Sequence, residues 1–398
     1  MSTILQITPH DPLIARDGRP FGAGQGNRMR GLPWPLPSVV AGSFRTALVK
    51  ATPDLDFSGN MPERLMQIAV AGVFPVHGGN LYLPTPNDCA WDDKTNTVHR
   101  VQPIQLEDGE GVDFPDSANG LWPVRLTAEQ ATEDFKAKTP PAWWPLSNYE
   151  EWLNSSAVQY QADWFSPAFL NSPRQLMRDH VALDAGRGAA AESQIFATAN
   201  LHLTHLPRFG VKLDDKKLTF GERFAQVELS ARVEAGESGL GVSNLSLWHP
   251  LGGERRLVHW QLAESKLWDC PQSIRDALAK TTQVRLILAT PAIFANGWKP
   301  GWLNEQLEGT PPGCAVKLKL VGASNGRWKA VSGWSLADTK KQKRGPKPIR
   351  RMVPAGSVYF FTCEKGAATN LDKMWLQSVS DDEQERRDGF GLAVWGTW

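Results

Sequence analysis

Between Ala225 and Glu234 the chain alternates without a break: Ala225, Val227, Leu229, Ala231 and Val233 against Gln226, Glu228, Ser230, Arg232 and Glu234. Successive side chains on a strand point to opposite faces, so this run predicts a strand with one buried and one wet face, the pattern of antiparallel sheets. Val284, Leu286 and Leu288 repeat the period of two, as do Val316, Leu318 and Leu320 with Lys317 and Lys319 facing out. Residues 3–7 read as a first strand, stopped by Pro9 and Pro12. Helices are expected after Ser38, where Val40, Phe44 and Leu48 recur at a spacing of four with Arg45 on the other side, and over 62–71, 271–280 and 370–377. His77-Gly-Gly-Asn80 reads as a hairpin turn. The class is α+β with antiparallel sheets, and no repeat marks a solenoid or propeller.

Not all of the chain fits that scheme. Residues 84–180 carry Pro at 84, 86, 103, 115, 123, 140, 141, 145, 167 and 173 and Trp at 91, 122, 143, 144, 152 and 164, with little periodicity. They read as a large loop-rich insertion. At 398 residues the chain is long enough for two or three domains. The pattern changes near Gly186 and Gly188, which suggests domains of 1–185, carrying the insertion, and 186–398. The 17 Trp and 16 Phe, against 4 Tyr, describe irregular connections pinned by large aromatic rings.

With 43 Lys+Arg against 42 Asp+Glu the net charge is +1, so no global field advertises a partner. The first residues hold no basic segment followed by a long apolar one, and no apolar run reaches the length of a membrane span. The expected location is the cytoplasm. Cys89, Cys270, Cys314 and Cys363 are never closer than 44 positions, so no pair has zinc-ribbon or redox spacing; neither metal nor cofactor is expected.

Positive charge is nevertheless concentrated locally. From Arg16 to Gly31 there are four arginines (Arg16, Arg19, Arg28, Arg30) and five glycines (Gly18, Gly22, Gly24, Gly26, Gly31), with Asp17 as the only acid. Glycines admit backbone N–H groups close to an anion and arginines add forked donors, so the loop reads as a polyanion cradle; the alternative is a solvated surface loop. It lacks the fingerprint of a nucleotide site. Lys340 to Arg351 holds seven basic residues and no acidic one, between strand-like segments. Such a run binds a phosphate backbone by releasing counterions, or else is a solvated turn. Gly389-Phe-Gly391 is similar to the Gly-aromatic-Gly strand of RNA-recognition sheets, or is a last strand whose glycines permit close packing.

Enzyme signals are weak. Gly322-Ala-Ser324-Asn-Gly326 matches a nucleophile elbow, but Asn325-Gly326 favours a turn over the helix an elbow requires. His202 and His205, three apart on a strand, point to opposite faces and do not share a metal. His10 is a candidate acid/base without an evident partner.

The string Asp11-Pro-Leu-Ile-Ala-Arg-Asp17-Gly-Arg-Pro-Phe21-Gly, continued by Leu32-Pro-Trp-Pro-Leu-Pro37-Ser and Ala41-Gly-Ser-Phe-Arg45-Thr, resembles the third-subunit family of the Cmr effector, the type III-B CRISPR interference complex, in the RAMP superfamily. Leu251-Gly-Gly-Glu-Arg-Arg256, Gly345-Pro-Lys-Pro-Ile-Arg-Arg351 and Gly389-Phe-Gly391 add to the resemblance. It implies two ferredoxin-like, RNA-recognition-like domains and a non-catalytic role in antiviral defence: holding the 5′ tag of the CRISPR RNA and joining the large cyclase-type subunit to the backbone subunits, with target RNA met indirectly. The residues it marks for RNA are Arg16, Arg19, Gly22, Gly24, Gly26, Arg28, Arg30, Arg45, Lys347, Arg350, Arg351, Gly389 and Gly391. The competing expectation is a RAMP endoribonuclease that processes precursor RNA, with His10 or His77 as acid/base.

Overall fold

The computed structural model describes residues 2–17, 27–53, 55–114, 120–127, 136–155, 157–160, 164–242, 245–335 and 343–398. Its main elements begin with β1 (Ser2–Pro9), β2 (Asn27–Arg28), α1 (Pro37–Ala51), α2 (Met61–Met66), β3 (Ala69–His77), β4 (Asn80–Pro84) and α3 (Leu146–Asn154). There follow β5 (Arg174–Asp184), β6 (Ala189–His202), β7 (His205–Pro207), β8 (Phe224–Gln226), β9 (Glu228–Glu234), β10 (Ser246–Pro250) and β11 (Leu257–Ala263). The last are α4 (Gln272–Leu278), β12 (Gln283–Leu288), β13 (Leu318–Ser324), β14 (Val358–Thr362), β15 (Gln377–Ser378) and β16 (Leu392–Thr397). They sort into two compact units interleaved in sequence: Met1–His77, Asn171–Glu264 and Ala330–Arg350 form one, and Gly78–Leu170, Ser265–Lys329 and Arg351–Trp398 the other. The chain is thus not cut once near 185. Ala185 lies in the turn between β5 and β6, inside the first unit, and the Pro- and Trp-rich segment belongs largely to the second.

The first unit is built on an antiparallel sheet in the order β10–β11–β1–β9–β3. Counting β1, β3, β9 and β11 in chain order, the four lie 4-1-3-2. The β1-to-β3 crossover carries α1, whose Val40, Phe44 and Leu48 pack against Leu5, Ile7 and Trp260. That helix starts one residue before the expected cap: Pro37 opens it and Leu36 flanks it, since the fixed φ and missing N–H of proline suit a first helical position. The 225–234 run is not one strand. Val227 donates to the Thr204 carbonyl, so β8 pairs with β7 while β9 pairs with β1 and β3. The helix expected over 62–71 stops at Met66, because Ala69, Val70 and Ala71 are taken into the ladder with β9.

In the second unit β13–β14–β12–β16 form the sheet, extended by Glu308–Gly309 and β15 at its edges. Its four principal strands, taken in chain order, again run 4-1-3-2. β12 is buried from Val284 to Leu288, Arg285 included. The guanidinium of Arg285 donates to the Asp88 carboxylate and to the Trp152 carbonyl, and Trp152 Nε1 donates to Asp88 Oδ1 at 3.0 Å. Beside it on β16, a Cβ at Gly396 would lie 2.5 Å from the Leu153 carbonyl oxygen, so glycine there lets the end of α3 rest on the sheet. Around α3, Trp144 meets Tyr149, Trp152, Trp164, Phe165 and Phe169 with ring centroids 5.2 to 6.4 Å apart. The aromatic surplus of 84–180 is in large part this core.

Breaking a buried pair strands a charge, at a cost of about 3–5 kcal/mol. Arg285→Met is expected to lower the unfolding free energy read by urea denaturation by that order, and the Asp88→Asn/Arg285→Met double variant to lose less than the single. Gly396→Ala, which drives a methyl into α3, should destabilise the unit while leaving the pair intact. Equal losses in the single and double variants would refute the pairing as the origin of the effect.

His99, His202 and His249 have pKa values pushed below the ordinary imidazole value, each first by burial; cations add to this at His202 (Arg178, Arg174) and at His249 (Lys50). Such groups bind fewer protons folded than unfolded, so stability rises with pH across their window. The melting temperature is expected to fall as pH drops below about 6.5, the unperturbed imidazole value. His249→Gln should flatten the slope, read by thermal denaturation at matched ionic strength.

Candidate nucleic-acid interface

After β1 the chain runs back along β6 in the first unit: Leu13 bridges Leu201, and Leu13 N donates to the Leu201 carbonyl at 2.9 Å. The residues on either side of the glycine-rich loop then pair with each other. Arg16 bridges Gly31, Leu32 N donates to the Ala15 carbonyl at 2.8 Å, and Met29 N donates to the Ala197 carbonyl at 2.8 Å. β2 lies parallel to β6, Asn27 opposite Phe196 and Arg28 opposite Ala197. Gly31 is required by close approach: a Cβ there would sit 2.8 Å from that of Ala199. Alternation does the rest. Ala15 and Met29 turn into the protein, and Arg16, Arg28 and Arg30 turn out, exposed. Three arginines are therefore held on backbone ladders at the base of the loop, while Arg19, Gly22, Gly24 and Gly26 lie outside the described residues.

Two marked groups do not face solvent. Arg45, placed by the helix pattern on the outer side of α1, is 6% exposed and its guanidinium donates to the Ile68 carbonyl, at 2.7 Å from one nitrogen. Gly389 and Gly391 are buried as well. Both have positive φ (87° and 72°), the Gly389 carbonyl accepts from Thr290 Oγ1 at 2.8 Å, and a Cβ at Gly391 would fall 2.4 Å from Ser380 Oγ. Phe390 is 2% exposed, so its ring cannot stack on a base. Of the two readings of this motif, close packing is the one observed.

The basic run divides between the units at Arg350. In the first, Lys347 N donates to the Gly333 carbonyl at 2.7 Å and Trp334 pairs with Pro346; Lys343 and Arg344 are exposed, Lys347 and Arg350 half-buried, and Trp334 is 64% exposed. In the second, Arg351 lies 5.0 Å over the ring of Trp328, which is itself half exposed. A guanidinium over an indole is a platform that also accepts a stacked base.

The structure adds cations that sequence reasoning passed over. On β5, Arg174 and Arg178 are exposed and share a strand face with His180, whose ring stacks on Phe196 with centroids 5.1 Å apart. Period-two spacing of Arg174, Arg178 and His180 was the available signal, hidden by the proline-rich surroundings. The hairpin between β10 and β11 turns through Glu254 (φ 56°) and Arg255 (φ 51°). Left-handed backbone at two consecutive non-glycine residues costs on the order of 1–3 kcal/mol each. Arg255 is left exposed at the tip. Gly252 packs on the Ile14 carbonyl oxygen and Gly253 N donates to it at 2.8 Å, which ties the tip to the segment leading to Arg16.

The enzyme candidates fare differently. Both ring nitrogens of His77 are engaged, Nδ1 with the Gln226 carbonyl at 2.7 Å and Nε2 with Arg208 at 3.2 Å; the arginine only donates, so Nε2 accepts and Nδ1 carries the proton. Ser324 donates to the Asn87 carbonyl at 2.9 Å and is followed by irregular chain, with neither an elbow helix nor a hairpin back onto β13. His10 is 68% exposed, its Nδ1 3.5 Å from Asp11. No group of three or more His, Cys, Asp or Glu suited to a metal occurs among the described residues, and no helix there is long and apolar enough to cross a membrane.

Comparison with known proteins gives three findings. Among solved structures the chain is similar to a chain of the type III-B Cmr-beta complex bound to cognate target RNA and AMPPnP, at 14% identity and a TM-score of 0.45 over 90% of this chain and 86% of that one. It is also similar to a chain of the Csm3-Csm4 subcomplex of the type III-A interference complex, at 9% identity and a TM-score of 0.32 over 91% and 97%. None of the curated proteins matches it significantly. The model of the CRISPR-associated protein family Cas_Cmr3 matches residues 5–398, nearly the whole length, and the chain therefore belongs to that family.

Proposed function

We propose that the protein is a non-catalytic RNA-binding subunit of a type III-B CRISPR (Cmr) ribonucleoprotein, working in the cytoplasm in antiviral defence. It holds the 5′ tag of the CRISPR RNA and bridges the large cyclase-type subunit to the backbone RAMP subunits, meeting target RNA only through the guide. The observation that carries this reading is the ladder that fixes Arg16, Arg28 and Arg30 outward around a glycine-rich loop. Family membership supports the CRISPR setting. The 4-1-3-2 order of both antiparallel sheets supports reading the two units as ferredoxin-like, as does α1 in the first crossover of the first unit. Lys347 and Arg351, the latter on Trp328, belong to the RNA-facing set; Arg45, Gly389 and Gly391 act in folding.

Each phosphate neutralised on a single strand contributes about 0.7 to the slope of log K against log salt. Arg16→Ala/Arg28→Ala/Arg30→Ala is therefore expected to weaken guide-RNA binding and lower the slope by about 2, measured by filter binding from low to high salt. Arg45→Lys should leave the slope unchanged. An unaltered slope in the triple variant would remove this surface from the RNA site.

His10 beside Asp11 is the observation that favours the competing role, metal-independent cleavage of precursor RNA. Incubating the purified protein with repeat RNA and a chelator separates the two. We expect intact RNA; a product that disappears in His10→Ala would replace the scaffold reading with a nuclease.

A further inference from the structure

The exposed edge of the first unit's sheet carries a cluster that the arginine surface leaves unexplained. β10 is the edge strand, and Trp248, His259 and Thr8 stand opposite one another across β10, β11 and β1. Val258 and Trp260 alternate into the core, each 0% exposed, so His259 and Leu257 face the other way. Trp248 is 55% exposed. The ring of His259 lies 4.9 Å from it, tilted 37°, and the ring of His10 meets it edge-on at 5.6 Å. Ser246 Oγ lies 3.1 Å from His259 Nε2. The next turn along the hairpin presents Arg255, held outward by strained backbone, with Arg256 beside it.

We infer that Trp248, flanked by His10 and His259, is a stacking platform for an unpaired base of single-stranded RNA, and that Arg255 meets the adjoining phosphate. The inference rests on the RNA-binding reading above and adds a second point of attachment to it. A large indole left more than half open on an edge strand gives up burial that a fold normally takes, and its π-face suits any unstacked base. The neighbours decide the class of ligand. Ser246, His10, His259, Arg255 and Arg256 give the ring a polar border that includes two guanidiniums, which fits a sugar-phosphate chain better than the apolar surface of a protein partner. The acids of the cluster are Glu254, exposed at the hairpin tip beside Arg255, and Asp11. The Asp11 carboxylate accepts from Leu257 N at 3.0 Å and faces His10 and Arg256, so its charge is met within the protein. A duplex offers no free base face and is excluded.

The test uses the full-length protein and a short oligouridine bearing one photoreactive iodouridine. Crosslinking followed by mass spectrometry should map the label to the peptide holding Trp248. Trp248→Ala should weaken binding about fivefold to a hundredfold without changing the salt slope, because stacking neutralises no phosphate. Trp248→Phe should keep most of the affinity, and Arg255→Ala should lower the slope by about 0.7. Since Trp248 lies at an exposed edge, thermal melts of these variants should overlay that of the native protein. Binding of Trp248→Ala equal to wild type, or crosslinks only elsewhere, overturns the platform and leaves the arginine surface standing. Failure of the wild type to bind RNA overturns both. Unchanged RNA affinity with lost assembly onto another subunit would make the edge a protein interface and end the inference.

Discussion

Arg285 stands in the middle of the second unit's central strand, where neither face of the sheet has water. A guanidinium in that position must be met by acceptors, and Asp88 together with the Trp152 carbonyl supplies them. Both acceptors come from the irregular segment that begins at β4, so satisfying one charge on β12 dictates where that segment docks. Gly396 next to it removes the Cβ that would hold α3 off the sheet. The docked segment adds a second buried cation. Arg100 donates to the Ser155 carbonyl at 2.6 Å, and burial followed by the repulsion of Arg285 lowers its pKa to about 10. Two guanidiniums share one carboxylate in this core, so the carbonyls at the end of α3 take on part of a counter-ion's work, and the end of the helix is held in place by that demand.

The same residue type does opposite jobs elsewhere. Arg45 and Arg64 satisfy backbone carbonyls of residues 68, 238 and 239. Arg16, Arg28 and Arg30 are exposed on backbone held by its pairing with itself and with β6. What separates the two groups is the alternation of their neighbours, buried Ala15 and Met29 against a helix face already filled by Phe44 and Leu48.

This is also the boundary of what was legible beforehand. The antiparallel α+β class, the α1 core face and β12 followed from periodicity, because burial of one face writes itself into the order of residues. The split of 225–234 at Val227 did not, since both halves keep the same period and only a tertiary bond to Thr204 separates them. Nor did the interleaving of the two units, which depends on contacts between residues more than 100 positions apart. For a related reason the order of residues does not choose between the two readings of Gly389 and Gly391. A glycine that admits a ligand and one that admits a neighbouring strand look alike until Ser380 is seen 2.4 Å from where a Cβ would lie. Arg174 and Arg178 share a strand face whose spacing the proline-rich surroundings hide, whereas Arg255 is a lone cation in a tight turn and carries no pattern of its own.

Near-zero net charge sharpens the functional argument. At physiological salt a charge is screened beyond about 8 Å, so a neutral protein gathers RNA only where cations lie within that distance of the phosphates. In the proposed reading Arg16, Arg28 and Arg30 would meet the condition, since backbone pairing holds their segments in place. Flexible lysines scattered over the surface would not, since each would lose side-chain freedom for a weak, screened contact. Electrostatics of such short range fixes the path of a strand but does not hold its bases. An exposed indole, such as Trp328 under Arg351 in the second unit or Trp248 beside two histidines in the first, would supply an attraction that salt hardly weakens. An RNA held by both would keep its place at ionic strengths where charge alone would let it go, and that difference in salt response is the physical signature that separates a dedicated guide-holding subunit from a merely basic surface.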